Sequence, residues 1–271
     1  MITLLLYPFV QNAFLAGTLV AVIAAFVGYF LLARGLTFAG HALSQMGFAG
    51  AAGALVLGID PVFGLLFFTV TSGIAIGYLG KQLRERDITI GILMVFVLGL
   101  GSLFLSLYNG YAQRAYSILF GTILGITRFD VLITCLFCLI TFTALLVMYR
   151  PLLFSSFDPE VAQARGVPVR LLAILFLILV AITVSVAVQV VGVLLIFTLL
   201  VGPPATAIRI VHSPSRAILL AIILGVLYTW LGIFFALTST IPVSFYIAAL
   251  SFGIYVPIRL YTNQYGKRGK K

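Results

Sequence analysis

Only six of the 271 residues are acidic, two are cysteine, two are histidine and one is tryptophan. Charged side chains make up 8% of the chain against 63% apolar ones, and the mean hydropathy is +1.25. That leaves too little polar surface to cover a water-soluble globule, so a soluble enzyme or binding module is excluded and a polytopic membrane protein is expected. The cysteines, Cys135 and Cys138, form one C-x-x-C inside the apolar run 131 to 149, with no second pair of thiols or histidines to complete a zinc site. They read as small buried hydrophobes. Carboxylates are missing from the membrane interior as well: Asp60 and Asp130 fall at outer ends of runs, Glu85 and Asp87 in one charged loop, Asp158 and Glu160 in another. A proton-coupled carrier or channel would lack its coupling group. No G-x-x-x-x-G-K-[ST] occurs, so the chain does not cradle nucleotide phosphates by that route. Met1 to Tyr7 carries no basic residue, and a removable signal peptide is not expected.

Runs of about 20 apolar residues, enough to cross a hydrocarbon core as helix, lie at 9 to 33, 37 to 58, 61 to 80, 88 to 108, 130 to 149, 169 to 190, 192 to 208, 217 to 237 and 243 to 261. The fold expected is all-α, a polytopic membrane bundle of eight or nine transmembrane helices forming a single domain over residues 1–271. The formal charge of +10 comes from bases set singly between apolar runs, so nucleic acid is not an expected partner and membrane lipid is. Placing Arg34, the loop 81 to 87, the insertion 150 to 170, the turn 209 to 216, Arg259 at the end of the last run and the basic tail 262–271 in the cytoplasm leaves only Arg114 and Arg128 outside. This arrangement asks for nine spans and an external N-terminus. The outer stretch 109 to 130 holds Gly121-Thr122-Ile123-Leu124-Gly125, whose small-xxx-small spacing suits a short helix packed across the external face.

The insertion 150 to 170 contains a helix with its ends written in. Asp158 is an N-cap, Pro159 suits the first helical position, Glu160 complements the helix dipole, and Gly166 can take the left-handed stop ahead of Pro168. A rigid two-turn helix over about 158–166 is expected, with Gln163 and Ala164 on its body. By itself it is an ordinary capped connection between two spans.

The Phe157-Asp158-Pro159-Glu160 start and Gly166-Val167-Pro168 end resemble the cytoplasmic coupling helix of permease subunits in the zinc/manganese (metal-ion) ABC transporter family. Further stretches resemble that family in order: LLARGLTFAGHALSQMGFAGAAG from Leu31 to Gly53, LFGTILG from Leu119 to Gly125, VQVVGVLL from Val188 to Leu195, and LLVGPPATA from Leu199 to Ala207. The resemblance implies a permease of an ATP-driven importer of a divalent transition metal (zinc, manganese or iron) in the bacterial cytoplasmic membrane. It implies a second permease subunit, expected to be an identical copy, two cytoplasmic ATP-binding subunits and an extracytoplasmic metal-binding protein. It also implies no permanently bound cofactor and no enzymatic activity of its own, ATP being hydrolysed on the partner. Asp158, Pro159, Glu160, Gln163, Ala164 and Gly166 would then couple to the ATPase. A permease for a metal chelate shares the coupling-helix design. An ATPase-independent carrier and an intramembrane enzyme are the alternatives from other classes, and the missing buried carboxylate and missing catalytic constellation count against them.

The family motif carries Asp and then His four residues later, where this chain has His41 and Gln45. These two share one helix face, with Ser44 beside them and Gly40, Gly47, Gly50 and Gly53 thinning the helix for close packing. His41 is the one histidine inside a span. Polar groups in hydrocarbon need a cavity or a partner, which makes His41, Gln45 and Ser44 candidates for the metal pathway, with Met46 and Gln189 as further soft or polar groups near it. The competing reading is hydrogen bonding between helices, worth about 0.6 kcal/mol per pair.

Overall fold

In the computed structural model, residues 7–79, 83–108, 121 and 123–268 are described. All nine apolar runs are helical. In chain order the helices are α1 Pro8–Ala33, α2 Thr37–Leu57, α3 Pro61–Leu79, α4 Leu83–Leu107, α5 Arg128–Phe157, α6 Pro159–Ala164, α7 Val169–Val191, α8 Val193–Ile210, α9 Pro214–Leu237 and α10 Val243–Arg268. No strand occurs among the described residues.

Eight of these helices are both long and apolar enough to cross a membrane, and α2 falls outside that group. Its His, Gln, Ser and glycines dilute an otherwise apolar stretch. Even so, its 21 residues reach about 30 Å at 1.5 Å per residue. Arg86, at the start of α4, donates to the Gly35 carbonyl just before α2, and Phe104, late in α4, lies against Gly53 late in α2. The two helices therefore run side by side over their length, and α2 traverses the bundle as a ninth member sheltered by its neighbours. With α2 counted, nine of the described helices are long enough to cross a membrane.

Three boundaries differ from the sequence expectation. Helix α4 begins inside the charged stretch 81 to 87. Helix α5 passes through Pro151 to Phe157 where a loop was expected from residue 150. The proline removes one backbone bond, but Leu152 is fully buried, and the Ser155 and Ser156 hydroxyls both return to its carbonyl at 3.1 and 2.6 Å. Helix α10 continues to Arg268, into what was expected to be tail.

Helix α1 is the central post, with α5, α7, α8 and α9 packed around it. No loop separates α7 from α8. Gly192 alone joins them at φ 86°, ψ 162°, a conformation in which any side chain would be strained. Of the outer segment 109 to 130, residues 109–120 and 122 lie outside the described part, and with them Leu119, Phe120 and Thr122. Of the described part, Ile123–Gly125 form a single 3-10 turn. It rests on α1, where Asn12 Nδ2 donates to the Ile126 carbonyl at 3.2 Å, while Gly121 backs onto Val191 and Gly192. A capping box between Thr127 and Asp130 then starts α5.

Candidate functional site

Fourteen of the 21 residues of α2 are buried. Within the body of the helix the positions left half-open are His41, Gln45 and Phe48, spaced i, i+4, i+7, so they make one stripe. The stripe meets α8, where the His41 ring stands edge-on to Phe197 with centroids 4.9 Å apart and planes at 66°. Helix α8 offers a similar stripe: Leu194 is exposed and Phe197, Thr198, Val201 and Ala205 are half-buried.

His41 Nδ1 is buried and has no hydrogen-bond partner. An orphaned buried polar atom costs about 1–3 kcal/mol, and this one lies on the open stripe of a helix whose body is otherwise buried. Gln45, one turn on, brings an amide oxygen to the same stripe. The other candidates fall elsewhere. Ser44 is fully buried, and its hydroxyl donates to the His41 carbonyl at 2.7 Å, inside its own helix. Met46 is fully buried on the packed side. Gln189 sits near the outer end of α7, its Nε2 facing Asp130 Oδ1 at 3.5 Å and its Oε1 buried without a partner. It belongs with the start of α5 rather than with the α2 stripe.

Among the described residues no group of three or more His, Cys, Asp or Glu side chains comes together to hold a metal ion. Cys135 faces outward, and Cys138 is buried with its Sγ 3.7 Å from the Leu19 carbonyl. The aromatics missed in the sequence reading are Phe48 and Phe197. Extending the i, i+4 spacing of His41 and Gln45 by three residues finds the first, while the second lies on a helix far along the chain and leaves no local trace.

Helix α6 has both ends closed. Asp158 Oδ1 accepts from the Val161 N–H at 3.0 Å, and Pro159 occupies the first position. Gly166, at φ 81°, turns the chain so that its N–H reaches the Gln163 carbonyl and the Val167 N–H reaches the Ala162 carbonyl, both at 3.0 Å. The helix spans 159 to 164, shorter than the two turns expected. Ala162 is fully buried against its supports, while Glu160, Gln163 and Ala164 are exposed.

Known proteins resemble the chain over most of its length. The model of the ABC 3 transport family matches residues 6–262. The chain is 33% identical over 234 residues to the manganese transport system membrane protein MntC of Halalkalibacterium halodurans, covering 86% of this chain and 80% of that protein. It is 32% identical over 238 residues to the manganese import system permease protein ScaB of Streptococcus parasanguinis, covering 88% and 85%. Among solved structures, a chain of PsaBC from Streptococcus pneumoniae in complex with Fab superimposes with a TM-score of 0.84 at 28% identity, covering 95% of each chain.

Proposed function

The chain belongs to the ABC 3 transport family, and from that premise we propose that it is the permease of an ATP-driven importer that brings a divalent transition-metal ion, manganese foremost, across the bacterial cytoplasmic membrane. The observation that carries this reading is the orphaned His41 Nδ1 on the open α2 stripe, with the Gln45 amide one turn away. An imidazole nitrogen and an amide oxygen, without thiolate, suit borderline and hard divalent ions such as manganese, iron and zinc. Relatives named for manganese put that ion first.

Two neutral donors make a weak site, because no negative charge offsets the loss of the ion's hydration. Weakness serves a conduit, where tight binding would delay release. A second, identical permease set against the α2 and α8 stripes would bring another His41 and Gln45 and cover the apolar residues left open there. The ion would be delivered by an extracytoplasmic binding protein. ATP would be hydrolysed by cytoplasmic subunits, since this sequence has no phosphate-cradling loop of its own.

Elemental analysis of cells with and without the chain, grown in limiting manganese, zinc or iron, tests the assignment. The expected result is a deficit of cell manganese in the deletion strain that re-expression restores; equal contents of all three metals would overturn it.

The coupling role is tested separately. Exposed Gln163 and Ala164 on a helix fixed at both ends form a rigid knob, and motion of a docked subunit would pass through it to α5 and α7. Single cysteines at these positions, in a chain with Cys135 and Cys138 replaced by alanine, are expected to crosslink to the ATPase in intact membranes. Replacing Asp158 by alanine removes the N-cap, costs about 1 kcal/mol of local stability, and should reduce that crosslink while leaving insertion unchanged. A crosslink that never includes an ATPase rules out docking at α6.

A further inference from the structure

Beyond the α2 stripe, a cavity of about 1090 Å³ opens at the cytoplasmic ends of the helices. Three guanidinium groups line it: Arg34 after α1, Arg86 near the start of α4 and Arg170 near the start of α7. No carboxylate is among its described lining residues; Asp87, next to Arg86, is exposed and lies outside the lining. Their hydrogen-bond and ring partners there are neutral. Arg34 Nη1 donates to Ser155 Oγ at 2.9 Å, Arg86 Nη2 reaches the Gly35 carbonyl at 3.4 Å, and Arg170 stands 5.1 Å from the centre of the Tyr78 ring. Arg86 Nε is buried with no partner at all. Each guanidinium has five N–H donors, so most of their capacity is unused. Burial, and behind it the adjacent Arg86 charge, pushes the Arg34 guanidinium down from its ordinary value, and burial pushes Arg86 down too, against the opposing charge of Asp87.

The rest of the wall sets the chemistry of the missing anion. One side carries Ser155, Ser156 and the α6 residues Pro159 and Gln163; the other, formed by Gly77, Tyr78, Leu171, Ala173 and Ile174, is apolar, and Tyr78 and Leu171 continue onto the outer perimeter of α3 and α7, where they are 62% and 54% exposed. A carboxylate reaching in from a cytoplasmic protein would have no use for that perimeter. An amphiphile would, with its anion among the arginines and its chain along α3 and α7. All three arginines sit at helix ends on the cytoplasmic face, the level at which a leaflet holds its headgroups. We propose that this cavity binds the phosphate headgroup of an anionic phospholipid of the cytoplasmic leaflet, held by Arg34, Arg86 and Arg170.

The test uses the purified full-length chain in neutral detergent, with bound lipid read by native mass spectrometry. The probes are phosphatidylglycerol and phosphatidylcholine of identical acyl chains, with inorganic phosphate as competitor. Wild type is expected to retain phosphatidylglycerol at least about tenfold better than phosphatidylcholine, since basic residues at the leaflet surface attract anionic headgroups. An Arg86→Gln/Arg170→Gln variant, in which Arg34 keeps its bond to Ser155, should lose that preference while its unfolding midpoint in neutral lipid stays at the wild-type value. Should the double variant not fold, exposed Arg170→Gln alone is expected to lose part of the preference. Equal retention of the two lipids by wild type, or an unchanged preference in a folded variant, overturns the proposal. Displacement of phosphatidylglycerol by millimolar inorganic phosphate also overturns it and would make the cavity a site for free anions.

Discussion

Replacing His41 by alanine is expected to cut manganese uptake about tenfold, the loss that follows when a single contact of about 1.4 kcal/mol disappears from the highest barrier on the path. Three features concentrate the effect on this residue. Its ring lies on the open stripe of an enclosed helix, its Nδ1 has no partner to give up, and Phe197 holds the ring from the α8 side. Removing the imidazole leaves no other packed polar group unsatisfied, so insertion and assembly with the ATPase should be preserved and basal ATP hydrolysis unchanged. Gln45→His is expected to act the other way, with a lower KM from tighter binding and a lower maximal rate from slower release. Uptake of radiolabelled manganese, zinc and iron reads both variants. Wild-type uptake in His41→Ala would reduce the residue to helix packing and leave the metal reading resting on family membership.

The spans were legible because their signal is local: some 20 apolar residues in sequence predict a helix whatever surrounds them. The ends were less so. Pro151 reads as a stop, yet α5 continues past it because Leu152 is held in the core and two serine hydroxyls bind its carbonyl. The closed helix α6 was legible too, since Asp158, Pro159 and Gly166 each act within a few residues of themselves. For the site, helical spacing alone joined His41 to Gln45. The same spacing could not show that Ser44 bonds back to its own helix, that Gln189 faces Asp130, or that Phe197 lies on His41. Those pairings depend on how α2, α5, α7 and α8 are set against one another. Arg34, Arg86 and Arg170 show the same limit. One at a time they read as topology charges, and only three helix ends brought to one cavity make them a cluster.

The largest loss of stability is expected from a change of one methyl group, Gly50→Ala. Helices α2 and α3 cross where Gly50 faces Gly64, and a Cβ on either glycine would run into the backbone carbonyl of the other. Backbone cannot turn aside as a side chain can, so the helices would have to separate along a contact that runs the length of α2. Such overpacking costs about 1–3 kcal/mol, against a gain of about 0.5–1 kcal/mol that alanine brings to a helix interior over glycine. The comparison substitution is Gly99→Ala on α4, where a new Cβ meets nothing within 4 Å. It carries the helix gain without the clash and should raise the unfolding midpoint slightly. Because α2 also carries His41 and Gln45, pushing it away from α3 shifts the open stripe relative to α8, and uptake should fall in whatever fraction of Gly50→Ala remains folded. Thermal unfolding of both variants in one detergent, beside manganese uptake in cells, separates the two effects. A Gly50→Ala protein as stable as Gly99→Ala would mean that α2 and α3 do not approach each other this closely, and the enclosure that leaves only one stripe of α2 open would have to be redrawn.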